Sequence, residues 1–128
     1  MPTLTVDGTQ ELLDAGEVVI DAQKAERFAS ESPDEDGNRG RIPGAIRIPA
    51  SSLLDRENGT LRDASAVRER LGRLGVVPDR PVGVYCGGGV AAALATLALT
   101  EAGYPPRLFV GSFSAWASDP SRLVEPAR

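Results

Sequence analysis

The sequence predicts an α/β fold, a central parallel sheet of about five strands with helices on both faces, built as one domain over residues 1–128. Three observations point there. Short β-branched runs alternate with helical segments, the first of them, Val18 to Ala22, reads as a buried strand, and no internal repeat or linker interrupts the series. A chain of 128 residues is long enough to bury a core without a disulfide or a structural metal.

The elements follow in order. Gln10 to Leu13 read as a short helix, and Val18-Val19-Ile20-Asp21-Ala22 as a buried strand that delivers Asp21 to a loop. Lys24 to Phe28 read as a helical turn, and Ser30 to Gly40, rich in Ser, Pro, Asp, Gly and Asn, as a surface loop. Alternation in Ala45-Ile46-Arg47-Ile48 puts Ile46 and Ile48 on one face of a second strand that Pro49 ends. Asp63 is placed to cap a helix in which Val67, Leu71 and Leu74 recur at helical spacing, with Gly75 as its left-handed stop. Pro81 to Tyr85 make a third strand, Cys86 to Gly89 a tight bend, and Val90 to Ala102 a helix stopped by Gly103. Leu108-Phe109-Val110 is a further strand, and a short helix carrying Trp116 closes the chain.

Composition removes several kinds of chemistry. One cysteine excludes an internal disulfide, and the absence of histidine excludes a zinc cluster and a histidine-dependent triad. The formal charge of −4 gives no drive toward nucleic acid. No apolar stretch approaches a membrane span, and the first residues lack the pattern of a signal peptide, so the expected location is cytoplasmic.

The bend after the third strand is where chemistry is expected. A strand ending in Cys86, followed by Gly87-Gly88-Gly89 and a helix, can curl its backbone N–H groups into a nest around the sulfur, because glycines accept left-handed conformations. The helix N-terminus adds partial positive charge, and together these favour the thiolate over the thiol. In parallel α/β sheets ligands bind beyond the carboxyl ends of strands, where Cys86 sits. The plainer reading makes Cys86 a small buried hydrophobe.

Rival motifs fit worse. Gly87-x-Gly89-x-x-Ala92 has the outline of a dinucleotide fingerprint, but the next strand runs into Gly111-Ser112-Phe113 without the acidic residue that would hold a ribose. A P-loop needs a lysine, and none lies between Cys86 and Pro106. A cysteine phosphatase needs an arginine six positions after the cysteine, where this chain has Ala92.

Four segments in the same order resemble the rhodanese sulfurtransferases, in particular the catalytic C-terminal half of the two-domain thiosulfate and 3-mercaptopyruvate sulfurtransferases. They are Asp21-Ala22-Gln23, Gly40-Arg41-Ile42-Pro43-Gly44-Ala45, Val84 to Val90 around Cys86, and Gly111 to Trp116 followed by Asp119-Pro120. The resemblance implies a rhodanese-like domain that moves sulfane sulfur from a small donor to a thiol or cyanide acceptor. Cys86 is the implied nucleophile, and Gly87, Gly88, Gly89, Val90 and Ala91 supply the amides that hold the persulfide's outer sulfur. No metal or organic cofactor is implied.

This chain also departs from the pattern. Mercaptopyruvate-type loops usually carry Ser or Ala two positions after the cysteine and Thr five after it, against Gly88 and Ala91 here. Thiosulfate-type loops carry basic residues just after the cysteine, and this loop has none. Gln23 stands in place of an arginine that binds donors, which leaves Gln23 and Arg27, one helical turn on, as the candidate substrate-binding residues. Arg41 stands in place of a histidine.

Tyr85, Phe113 and Trp116 read as packing, Asp21 as a hydrogen-bonded loop anchor, and Asp119 as a turn residue. Two functions are therefore expected to compete: a sulfurtransferase, and a degenerate module that binds or regulates with little turnover. The helix from Val90, apolar nearly all round, is expected either to be fully buried or to present a strip for self-association or for a protein sulfur acceptor.

Overall fold

A computed structural model describes residues 3–23, 42–55, 60–86 and 90–118. The elements are β1 (Thr3–Leu4), α1 (Val6–Asp14), β2 (Val18–Asp21), β3 (Ile46–Arg47), a 3-10 turn (Ala50–Leu53), β4 (Leu54–Asp55), β5 (Thr60–Leu61), α2 (Ala64–Arg73), β6 (Val82–Tyr85), α3 (Val90–Glu101), β7 (Pro106–Phe109) and α4 (Ser112–Ala117). The expected turn at Lys24 to Phe28 and the loop from Ser30 to Gly40 lie outside the described residues, as do Arg27, Arg41, Gly87 to Gly89 and Asp119.

Five strands form one sheet in the order β1-β7-β6-β2-β3, and every pairing in it is parallel. The pair β4–β5 is separate and antiparallel. β6 is central and buried at every position, as expected of a parallel strand covered on both faces. From β2 the chain passes to β3 on one side, and from β6 to β7 on the other. Adjacent strands whose continuations diverge leave a crevice at their carboxyl ends, here between Asp21 and Tyr85, which pair in register.

Strand alternation sorts the core into two clusters. Ile20, Val82, Val84 and Cys86 pack with Val67 and Leu71 of α2 and with Ala92, Ala95 and Leu99 of α3. Val19, Tyr85 and Phe109 pack with Leu12 of α1 and Trp116 of α4 on the other face. Each fully buried large aliphatic contributes about 1.5–3 kcal/mol, so both helical layers are needed to seal the sheet. Arg68 Nη1 donates to the Ala102 carbonyl at 3.3 Å, placing a cation at the carbonyl end of α3 and joining α2 to it.

Several local expectations change. Helix α1 is longer than Gln10 to Leu13, because Thr5 caps it: its Oγ1 accepts the Gly8 N–H at 3.0 Å. Asp63 sits at the N-cap of α2 but makes no side-chain cap hydrogen bond. Leu74 is not part of the core face; it is the C-cap residue and 47% exposed. Gly75 and Gly103 have φ of 80° and 89°, the left-handed stops the sequence implies. Strand β7 starts at Pro106, two residues before the expected Leu108, in a first position that tolerates the missing donor. Helix α3 takes a middle course between full burial and an exposed strip. Ala92, Ala95, Thr96, Ala98 and Leu99 are buried, while Ala93, Leu97, Thr100 and Glu101 face water. No helix among the described residues is long and apolar enough to cross a membrane.

Candidate active site

Cys86 is the first residue beyond the central strand, at the crevice where the β2 and β6 continuations part. It is 3% exposed, and its side chain belongs to the cluster formed with α2 and α3. Val90 and Ala91 are the first two residues of α3, so their amides are among the N–H groups that a helix leaves without intrahelical partners. Ala92, where a phosphate-gripping arginine would have to stand, is fully buried in the core.

Two hydroxyls fix the end of β6. The Cys86 N–H donates to Ser112 Oγ at 3.2 Å, and the Ser112 hydroxyl donates to the Phe109 carbonyl at 2.8 Å. The side chain of Ser112 thus continues the β6–β7 ladder one step beyond the last paired strand residues. Ser112 is fully buried and adopts φ of 53°, a left-handed conformation that costs a non-glycine residue on the order of 1 kcal/mol. The preceding Gly111 is required by close packing, since a Cβ there would lie 2.5 Å from the Cβ of Ala115.

The second hydroxyl is that of Tyr85. It donates to Asp21 Oδ2 at 2.6 Å and accepts the Ile42 N–H at 3.0 Å. Asp21 is fully buried and also accepts the Gln23 N–H at 2.8 Å and Gln23 Nε2 at 2.9 Å. Bonding its own backbone two residues on makes Asp21 the anchor of an Asx-turn as β2 ends. The carboxylate therefore ties together the exit of β2, the residue before Cys86, and through Tyr85 the segment at Ile42.

The anchoring role read for Asp21 is what the structure shows, and Tyr85 and Trp116 are buried as the packing reading requires. Gln23 is 6% exposed, with its amide turned onto Asp21. Ser112 and the hydroxyl of Tyr85 received no role from sequence. Their partners lie 26 and 64 residues away in the chain, and only the position of Ser112 just after a strand-ending glycine marked it. Among the described residues no three His, Cys, Asp or Glu side chains group as metal ligands.

A family model described as a rhodanese-like domain matches residues 5–119. The chain is 41% identical over 109 residues to SseB of Mycobacterium tuberculosis, covering 85% of this chain and 38% of that protein. It is 35% identical over 113 residues to the 3-mercaptopyruvate sulfurtransferase of Escherichia coli K12, covering 86% of this chain and 40% of that enzyme. The crystal structure of Tum1 from Saccharomyces cerevisiae superimposes with a TM-score of 0.79 at 28% identity, over 99% of this chain and 47% of Tum1. The chain thus spans about two fifths of the length of the first two relatives.

Proposed function

Because the chain belongs to the rhodanese-like family, with the five-stranded rhodanese fold, we propose that it is a sulfurtransferase working through a persulfide on Cys86. The observation that carries the reading is the position of Cys86, at the carboxyl end of the central strand with its amide held by Ser112 and a helix opening four residues on. The sulfurtransferase named among its relatives supports the same class of chemistry.

In the proposed cycle the Cys86 thiolate attacks the outer sulfur of a donor. With thiosulfate, the sulfur–sulfur bond of the donor breaks, sulfite leaves with its electron pair, and a Cys86 persulfide remains. A thiophilic acceptor then takes the outer sulfur; cyanide gives thiocyanate and returns the thiolate. No net oxidation of the protein occurs. Backbone amides of Gly87, Gly88, Gly89, Val90 and Ala91 are proposed to hold the anionic outer sulfur, stabilising charge with donors that need no reorganisation. Ser112 is proposed as a positioning residue, since it fixes the Cys86 amide and so the point from which the loop departs.

A second reading, a rhodanese-like module with little turnover, is favoured by one observation. Gln23 is buried and directs an amide N–H to Asp21, so little of its side chain is presented to a donor. Intact mass after incubation with thiosulfate or 3-mercaptopyruvate separates the two. Sulfurtransfer requires a gain of one sulfur that a reductant removes and that the Cys86→Ser protein does not acquire. Thiocyanate formation that persists in Cys86→Ser would overturn the persulfide assignment.

A further inference from the structure

Away from Cys86, between the sheet edge and α2, lies an open cavity of about 520 Å³ whose walls carry four arginines, Arg47, Arg62, Arg70 and Arg73. We propose that this groove is a binding site for a small oxyanion of two or more negative charges, carried on phosphate or carboxylate groups. The inference does not rest on the sulfurtransferase reading.

The placement of these residues follows from the fold. Helix α2 buries Val67 and Leu71 against the sheet, which turns Ala66, Arg70 and Arg73, one and two turns apart, along a flank facing the groove. Arg62 is brought opposite by its backbone, whose N–H donates to the Leu53 carbonyl at 2.9 Å at the end of the 3-10 turn. Arg47 comes from the edge strand β3, in register with Asp21, so the groove reaches the same end of the sheet as Cys86.

The charge balance makes this cluster unusual for the chain. The whole sequence has a formal charge of −4, yet among the described residues the only carboxylate lining the groove is Glu69, and Arg73 already pairs with it. Arg62 and Arg70 make no side-chain hydrogen bond or ion pair among the described residues. The like charges of Arg62 and Arg70, without a counter-charge among the described residues, repel, and an arriving multivalent oxyanion relieves that repulsion. Guanidinium groups suit it, because each offers a fork of N–H donors matched to two oxygens. A volume of this size falls within the range of small-molecule sites. A ligand with a single charge would leave one of these two guanidinium groups unanswered, which is why the site selects for multivalency.

Calorimetric titration of the full chain with inorganic pyrophosphate, and separately with citrate, tests the proposal, with acetate as the singly charged comparator. The expected result is saturable one-site binding of pyrophosphate or citrate, the tighter of the two identifying the ligand chemistry, and none of acetate. Affinity should persist, though weakened, at about 0.15 M salt, where the screening length is roughly 8 Å. The double variant R62Q/R70Q should bind at least about ten-fold more weakly, because it removes two charge-assisted hydrogen-bonding groups from the ligand's reach. All four arginines lie on the surface, and a melting curve checks that the variant is folded. R107Q, an exposed arginine on β7 outside the groove, should bind as the unmodified chain does. The absence of saturable binding, retention of affinity in R62Q/R70Q, or an equal loss in R107Q would each overturn the site, the last by showing only diffuse attraction to surface charge.

Discussion

Tyr85 hydrogen-bonds through its hydroxyl to the carboxylate of Asp21, the residue beside it in the β2–β6 ladder, at 2.6 Å. Neighbouring parallel strands are thus joined by side chains as well as by backbone, one residue before Cys86. Tyr85→Phe keeps the ring but removes one hydrogen bond from Asp21 Oδ2, which retains that from Gln23 Nε2, and takes away the acceptor of the buried Ile42 N–H. The expected loss of stability is about 1–3 kcal/mol, the cost of an unsatisfied buried polar group. Urea denaturation measures it; a change under about 0.5 kcal/mol would mean that water replaces the hydroxyl.

Ser112 allows the hydroxyl and the backbone to be separated. Ser112→Ala and Ser112→Gly both remove the acceptor for the Cys86 N–H, but glycine also relieves the left-handed strain. Glycine should therefore be the more stable of the two by about 1 kcal/mol, while both should slow the proposed sulfur transfer to the same degree. If transfer rates instead follow melting temperature across the pair, Ser112 supports the fold and does not position Cys86.

At position 23 the buried side chain is directed at Asp21, so an arginine placed there has a carboxylate to meet before any donor. The expected outcome for Gln23→Arg is a thiosulfate Michaelis constant within about two-fold of the unmodified chain. A ten-fold fall would reveal that the longer side chain reaches past Asp21 to the donor.

Helix α3 offers a paired test of burial on one element. Leu99 is 1% exposed and Leu97 46% exposed. Leu99→Ala should cost about 2–5 kcal/mol, as removal of a core leucine does, and Leu97→Ala less than about 0.5 kcal/mol. Equal losses would mean that the exposed face of α3 is covered in solution.

Local signals carried much of the architecture. The runs at Val18, Ile46 and Val82 were legible as strands because they are β-branched and bounded by turn residues, and Gly75 and Gly103 marked the ends of α2 and α3. The two-residue strands β1, β4 and β5 were not read, whereas β3, equally short, was legible only through the longer alternation from Ala45 to Ile48; the Asn58-Gly59 dipeptide is nonetheless a recognised hairpin signal. At the site, Cys86 was visible through its glycines. The partnerships of Ser112, Tyr85 and the four groove arginines were not, because each depends on which strands and helices become neighbours, and periodicity within a segment does not carry that information.

Tyr85 and Cys86 share a peptide bond but face opposite layers, the one packed with Leu12 and Trp116 and the other with Ala92 and Leu99. Apart from the link through Ser112, anchorage and the proposed reactivity thereby lie on different faces of the sheet. Substitutions in α1, or in α4 beyond Ser112, can be screened against stability alone, whereas changes in the layer around α2 and α3 bear on the proposed chemistry of Cys86 without loosening the tyrosine clamp. An engineer, or natural selection, can adjust one side of the sheet while leaving the other as it is.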